Sequence, residues 1–323
     1  MKAELLSVLR DADDYVSGQD LCEKFGVSRT AVWKGINQLK EAGYEIEAVP
    51  NKGYKLLSVP DTLSEEELKS IRKTAWVGQE IFYYPVIDST NTRAKQLAEE
   101  DYPTGTLVVA GQQDAGRGRR GRSFESPQGA GIFMTLMLKP ELSPVNAPML
   151  TLVAALAVSA AIVKTTGRPA GIKWPNDIYW NEKKICGILI ENDLLGHHIG
   201  RSISGIGVNI NQEVFRSDAP NPVSLKQITG EDHDRYLILA NIMKRIKEYY
   251  TLLRTDCSGK TADLINTRYA HSLFRRNGFH RYADADGEFL ACLLRVEPDG
   301  RFILEDQEGK ERGYLFKEVQ YIL

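Results

Sequence analysis

The chain has 323 residues, 42% of them hydrophobic and 26% charged, with a formal net charge of −2. That length points to two or three domains, and the composition excludes a chain that is disordered throughout. Taken alone, the near-neutral balance argues against a dedicated nucleic-acid coat or a polybasic membrane binder.

The first sixty residues read as a unit of their own. Leu5, Leu6, Val8 and Leu9 fall near helical spacing, and Ser17-Gly18 breaks the chain before a short helix over 19–25. Ser28 is a good N-cap for a third helix that runs to about residue 42 and stops at Gly43. Ala31, Val32, Gly35, Ile36 and Leu39 can face inward along it, which leaves Arg29, Thr30, Trp33, Lys34, Asn37 and Lys40 outside. From Lys24 to Lys40 there are four basic residues and no acid, so the overall balance hides a local positive stretch. Residues 45–48 and 54–57 alternate as two strands about the turn Pro50-Asn51-Lys52-Gly53. Three helices and a hairpin are the layout of a winged helix-turn-helix, and an acidic helix predicted over 64–73 reads as a linker beyond it.

A second unit is predicted from residue 81: strand 81–88, helix 89–100, strand 106–112, loop 113–130, strand 131–139 and helix 146–165. Strands at 171–180, 184–195 and 199–210 and helices near 234–254 and 260–270 follow, which suggests a mixed sheet carrying helices. The apolar run Met149 to Val163 is shorter than the ~20 residues of a membrane span and reads as a buried helix. The tail, 273–323, has closely spaced turns and short alternating strands, as in a small SH3-like β-barrel. The expected fold class is therefore multidomain α+β, with boundaries at 1–60, 61–272 and 273–323. Cys22, Cys186, Cys257 and Cys292 form no CxxC pattern, and no signal peptide opens the chain, so reduced thiols in the cytoplasm are expected.

Four segments can carry chemistry. Residues 116–122 hold three glycines and four arginines. Glycines between the guanidiniums let backbone N–H groups approach an anion, which favours phosphate or carboxylate binding over a plain solvated loop. No Gly-Lys-Ser/Thr follows, so this is not a Walker A loop. Lys173-Trp174-Pro175-Asn176-Asp177 precedes Lys183-Lys184 and an apolar strand, where a lysine is expensive to hold unless an anion meets it. Pattern alone equally allows a strand-end corner and a hairpin tip there. Asp177 can hold a metal or orient a nucleophile. Ser89-Thr90-Asn91 lies before a helix, where such residues are ordinary N-caps but also offer hydrogen bonds to a ligand. Gly205-Ile206-Gly207-Val208-Asn209 permits close approach to a strand. The five histidines read as structural or exposed.

In this order the four segments resemble a biotin–protein ligase, whose signature is the loop Gly116-Arg117-Gly118-Arg119-Arg120-Gly121. The resemblance covers residues 80–323, and with the winged helix the whole chain is similar to the bacterial bifunctional biotin ligase and biotin-operon repressor of the Bacillus type. It implies formation of biotinyl-5'-AMP and pyrophosphate from biotin and ATP, with Mg²⁺ present and bound through phosphates, then transfer to a lysine of the biotin carboxyl carrier domain of acetyl-CoA carboxylase. It assigns catalysis to Lys184, Arg119 and Asp177, and biotin binding to Ser89, Thr90, Asn91, Gln113, Arg117, Gly118, Arg119, Lys184, Gly187 and Gly207. It assigns nucleotide binding to Arg117, Arg119, Arg120, Arg122, Phe124, Lys173, Asn176 and Asn209. The family often has a tryptophan where this chain has Arg122-Ser123-Phe124, so an adenine-stacking role passes to Phe124. The repressor arm implies a homodimer that forms on biotinyl-AMP and binds two half-sites of operator DNA. Its contacts would come from Ser28, Arg29, Thr30, Trp33, Lys34 and, on the wing, Lys52. Two other readings are a lipoate or other acyl-carrier ligase on the same core, and a non-enzymatic transcription factor that senses a small molecule.

Overall fold

The computed structural model describes residues 1–60, 63–70, 76–116, 118, 123–217, 219–255, 259–297 and 299–323. The chain divides into two compact units, Met1–Lys73 and Thr74–Leu323.

In the first unit, helices α1 (Lys2–Asp11), α2 (Gly18–Phe25) and α3 (Arg29–Glu41) precede an antiparallel pair, β1 (Glu45–Val49) and β2 (Gly53–Ser58). The Ser28 hydroxyl accepts the Ala31 N–H at 3.2 Å and caps α3, a contact worth about 1 kcal/mol. Leu5, Leu6 and Leu9 of α1 share one core with Leu21, Val32, Ile36, Leu39, Tyr44 and Ile46. A Cβ at Gly35 would lie 2.5 Å from Leu5 Cδ1, so that glycine sets how closely α1 and α3 approach. The acidic helix expected to serve as a linker is present as α4 (Glu65–Ser70), but it packs on α1. Leu63 and Leu68 are buried, and buried Glu67 pairs with Arg10 and accepts from the Tyr44 hydroxyl at 3.3 Å. The division therefore falls at Lys73 rather than at residue 60, because Glu67 has partners inside the first unit that charge counting could not reveal.

The second unit is built on a seven-stranded mixed sheet. Its strands are β3 (Ile81–Ile87), β4 (Leu107–Gln113), β5 (Gly131–Leu138), β6 (Gly171–Lys173), β7 (Asp177–Trp180), β8 (Lys183–Leu195) and β9 (His198–Asn209), in the order β3-β4-β5-β9-β8-β7-β6. Only β3 and β4 run parallel. Helix α5 (Thr90–Glu99) covers one face, with Ala94, Leu97 and Ala98 against Val108, Met137 and Ile203. Residues of opposite parity, among them Cys186, Ile188, Ile206 and Val208, are buried on the other face. Helices α6 (Ala147–Thr166), α8 (Arg235–Thr255) and α9 (Lys260–His271) pack together and against the sheet, and a short α7 (Leu225–Thr229) follows β9 and precedes α8 in the chain. Residues Pro144–Thr166 are long and apolar enough to cross a membrane, with a mean hydropathy of 1.9, but 67% of an 18-residue window within them is buried.

The single strand predicted over 171–180 is two strands. A turn at Trp174-Pro175-Asn176 reverses the chain and sets Lys173 opposite Asp177. Periodicity could not show this, because proline and its neighbours interrupt the ladder without changing the apolar alternation. The tail forms a five-stranded antiparallel sheet: β10 (His280–Asp284), β11 (Gly287–Val296), β12 (Phe302–Asp306), β13 (Glu311–Tyr314) and β14 (Gln320–Tyr321), in the order β13-β12-β11-β10-β14. It docks within the second unit through Trp174, which stacks on Phe302 at 4.9 Å and donates its indole N–H to the Gly300 carbonyl at 3.2 Å. Such an aromatic pair contributes about 0.5–1.5 kcal/mol beyond its buried area.

Candidate active site

Register brings the site together on the α5 face of the sheet. Gly187 of β8 pairs with Gly207 of β9, and Gly207 with Phe133 of β5. One step along, Leu189, Gly205 and Thr135 share a row, followed by Glu191, Ile203 and Met137. The first row is a floor with no side chains at its centre. A Cβ on Gly207 would lie 2.6 Å from the Phe124 ring, and one on Gly187 would lie 3.2 Å from that ring and 3.3 Å from Lys184 Nζ. Phe124 therefore lies against the glycines, edge-on to Phe133 at 6.4 Å, with the Lys184 ammonium at the margin.

The polar end of the site is the first turn of α5. Ser89, Thr90 and Asn91 are all buried. Ser89 occupies the N-cap position, but its hydroxyl makes no capping hydrogen bond. A buried hydroxyl in that state is available to a ligand. The Gln113 side-chain oxygen accepts from both the Thr90 N–H (2.9 Å) and the Thr90 hydroxyl (3.0 Å). This fixes the amide flip, and Gln113 Nε2 donates to Ser126 Oγ at 3.1 Å. Asn91 Nδ2 donates to Glu191 at 3.2 Å, and Asn91 Oδ1 accepts from the Thr135 hydroxyl at 2.6 Å.

The charged end is the turn between β6 and β7 facing β8. Lys184 Nζ meets Asp177 Oδ2 at 2.7 Å, each side chain 31% exposed. Lys173 lies across the hairpin from Asp177, with its ammonium 4.7 Å from the Tyr179 ring centre and 5.0 Å from that of Tyr321. Burial pushes the Lys173 amine down to about 8, with nearby Asp177 working against the shift and Lys184 and Arg275 adding to it. The buried amides assigned to a nucleotide are largely committed to the protein. Asn176 donates to the Ile188 carbonyl, while Asn209 donates to the carbonyls of Lys184 and Val223 and accepts from Gln212. They hold the turn and the start of β8 in place.

Arg117, Arg119, Arg120 and Arg122 lie outside the described residues, while Gly118 between them is described and partly buried. The ends of this loop are tied down: Phe124 donates its N–H to the Gly116 carbonyl at 2.9 Å, and Ala115 to the Asp88 carbonyl at 2.9 Å. Gly116 must be a glycine, since its Cβ would lie 2.4 Å from the Phe124 carbonyl. Sequence reasoning missed Thr135, Ser126 and Glu191. A threonine within the otherwise apolar stretch Ile132–Leu138 was the available signal for the first.

In the first unit, Arg29, Thr30, Trp33 and Lys34 are exposed along the outer face of α3, with Trp33 at 56%. Arg29 donates to Gln19 at 3.0 Å. On the hairpin turn, exposed Lys52 lies 5.6 Å over the Tyr15 ring. Ser28 is engaged in its cap.

Comparison with known proteins finds a match in each unit. The profile of the Biotin/lipoate A/B protein ligase family matches residues 83–209, and that of an HTH domain matches residues 2–55. The bifunctional ligase/repressor BirA of Bacillus subtilis is 37% identical over 324 residues, covering 97% of both chains. That of Escherichia coli is 30% identical over 318 residues, covering 98% of this chain and 95% of the relative. Among solved structures, the biotin protein ligase from Aquifex aeolicus in complex with biotin and ATP is similar at a TM-score of 0.63 and 29% identity, covering 76% of this chain and 100% of that one.

Proposed function

This chain belongs to the family of bifunctional biotin ligases and repressors, and on that premise we propose that it joins biotin to a carrier lysine at the expense of ATP and represses transcription through its N-terminal unit. The observation that carries the ligase reading is one sheet face joining a buried hydroxyl–amide cluster, a glycine floor and an ammonium group. A cyclic urea presents one carbonyl acceptor and two N–H donors. Ser89 Oγ can donate or accept, and Gln113 Nε2 and Asn91 Nδ2 each keep one N–H beyond those given to Ser126 and Glu191. The row of Thr135 and Gly205 lies two residues from the row of Gly187 and Gly207, roughly 6.6 Å along the strands. The ligand's apolar ring and chain can span the distance between the two rows, packed on the Phe124 ring that covers the glycines, and bring its carboxylate toward Lys184.

The first step joins two anions, the carboxylate and the α-phosphate of ATP. Carboxylate oxygen attacks phosphorus and pyrophosphate leaves, giving biotinyl-5'-AMP. Lys184, held by Asp177, offsets the developing charge, and Lys173 adds a second cation. The family resemblance gives Arg117 and Arg119 of the glycine–arginine loop the role of pairing with the adenylate and shielding the mixed anhydride from water. The Mg²⁺ that the family reading implies would enter on the phosphate oxygens of ATP and offset their charge. In the second step the carrier lysine amine attacks the acyl carbon and AMP leaves. The same polar end disfavours lipoate, whose dithiolane would leave these buried groups without partners.

The repressor arm works as a homodimer that forms on biotinyl-5'-AMP in the cytoplasm. Each protomer places α3 in a major groove, with Arg29, Thr30, Trp33 and Lys34 toward the bases and Lys52 toward phosphate.

The direct experiment mixes the protein with biotin, MgATP and a biotin carboxyl carrier domain and reads the carrier mass. One biotinyl group per carrier is expected, and an unchanged mass with all three present would sink the ligase reading. Gly207→Ala places a methyl against the Phe124 ring, so the KM for biotin is expected to rise about tenfold, for an overpacking cost of order 1–3 kcal/mol. Steady-state kinetics at saturating ATP checks this. Lys173 gives a pH signature. Its cation is lost as pH rises through about 8, so kcat/KM for ATP is expected to fall above that pH, whereas Lys173→Arg keeps its charge and its profile stays flat. The stability trend has the opposite sign. Between about 8 and the ordinary lysine value of 10.5 the unfolded chain binds more protons, so this group's contribution to stability rises with pH through that window.

A further inference from the structure

We propose that Thr135 and Glu191 are positioning residues that clamp Asn91 from its two ends and thereby set the hydrogen-bonding polarity of the ureido end of the site; this rests on the ligase reading above. Thr135 is fully buried in β5 and is opposite Gly205. Its hydroxyl lies 2.6 Å from Asn91 Oδ1 and 2.8 Å from Thr90 Oγ1.

Counting protons fixes the direction of the chain. Gln113 Oε1 is an acceptor only and receives both the Thr90 N–H and the Thr90 hydroxyl proton. The Thr90 hydroxyl therefore has no proton left for Thr135, and Asn91 Oδ1 has none to give. The single Thr135 proton must serve these two oxygens. At the far end Asn91 Nδ2 is drawn to the Glu191 carboxylate, which Lys95 also meets at 2.7 Å. A Cβ at Gly205 would lie 2.1 Å from Asn91 Oδ1, so the amide has room only because that position is glycine.

The clamp leaves Gln113 and Asn91 both turned with N–H groups available and carbonyl oxygens engaged. That suits a ligand carbonyl at this end. Without the Thr135 hydroxyl, Asn91 Oδ1 loses its buried donor and the amide is held from the Glu191 end alone. Such a loss weakens recognition of the head group without touching the nucleotide end.

The test compares Thr135→Val, which keeps the shape and removes the proton, with Thr135→Ser, which keeps the proton. ATP–pyrophosphate exchange is measured as a function of biotin and, separately, of ATP. In Thr135→Val the KM for biotin is expected to rise roughly ten- to hundredfold, as for an unsatisfied buried acceptor, with the KM for ATP unchanged. Thr135→Ser is expected to restore it to within about threefold of the parent. Glu191→Ala, on the half-exposed rim, is expected to raise the KM for biotin severalfold. A biotin KM unmoved in Thr135→Val, or in Glu191→Ala should the valine variant not fold, overturns the clamp. So does an equal rise in the KM for ATP, or a serine variant as impaired as the valine one. A parent chain with no biotin-dependent exchange at all overturns the ligase reading itself, and the clamp with it.

Discussion

Lys184→Ala is expected to lower adenylate formation by about 10²–10³-fold, the range for removing one preorganised charge from a reacting centre. The reason lies in where the ammonium stands. It is 3.3 Å from the position a Gly187 Cβ would take, at the margin of the glycine floor, and it is held at 2.7 Å by Asp177. An incoming carboxylate and an α-phosphate repel one another, and this cation is the described charge placed against the floor that both must approach. The fold should survive the change. The backbone of Lys184 pairs independently of its side chain, donating to the Asn221 carbonyl and accepting from the Val223 N–H. Asp177 is partly solvated, so losing its partner does not strand a fully buried charge. Pyrophosphate exchange together with a melting curve checks both parts. Exchange within tenfold of the parent in a normally folded variant would remove Lys184 from its assigned role.

Removing residues 1–73 is expected to abolish operator retardation while carrier biotinylation persists. The cut belongs at Lys73, where the two compact units divide. A cut at residue 60 would leave α4 without α1. Leu63 and Leu68 would then be exposed, and Glu67 would lose Arg10 and Tyr44. An exposed apolar helix of that kind promotes association, so the shorter deletion should be the less soluble one. The second unit keeps its seven-stranded sheet, α5, α6, α8, α9 and the tail sheet intact in the longer deletion. Gel shifts on operator DNA and carrier mass, measured on the same preparation, separate the two activities. Operator binding by the truncated chain would overturn the assignment of DNA reading to α3.

Much of this was legible because its causes are local. Ser28 caps α3 through its own neighbours, and the spacing of Val32, Ile36 and Leu39 alone turns Trp33 and Lys34 outward. Gly116 is explained by an approach to Phe124 only eight residues away. The motifs Ser89-Thr90-Asn91 and Lys173 to Asp177 each fall at the edge of an element, where polar residues in an apolar context stand out.

What remained hidden depends on pairings that no local pattern encodes. Asn91 is 44 residues from Thr135 and 100 from Glu191, and those two reach it only because β5, β9 and β8 are neighbours in a sheet whose order departs from chain order. The same order sets Gly187 beside Gly207 and lays Phe124 over both. The sequence by itself determined the helices, the winged hairpin and the reactive motifs, since capping, periodicity and turn chemistry act within a few residues. Only the tertiary structure decided that these motifs share one sheet face, that Glu67 ties α4 to the first unit, and that a lone threonine in an apolar strand meets Asn91 and Thr90 at the polar end. Strand register is a long-range choice, and a one-residue slip would have turned every one of those side chains to the other face.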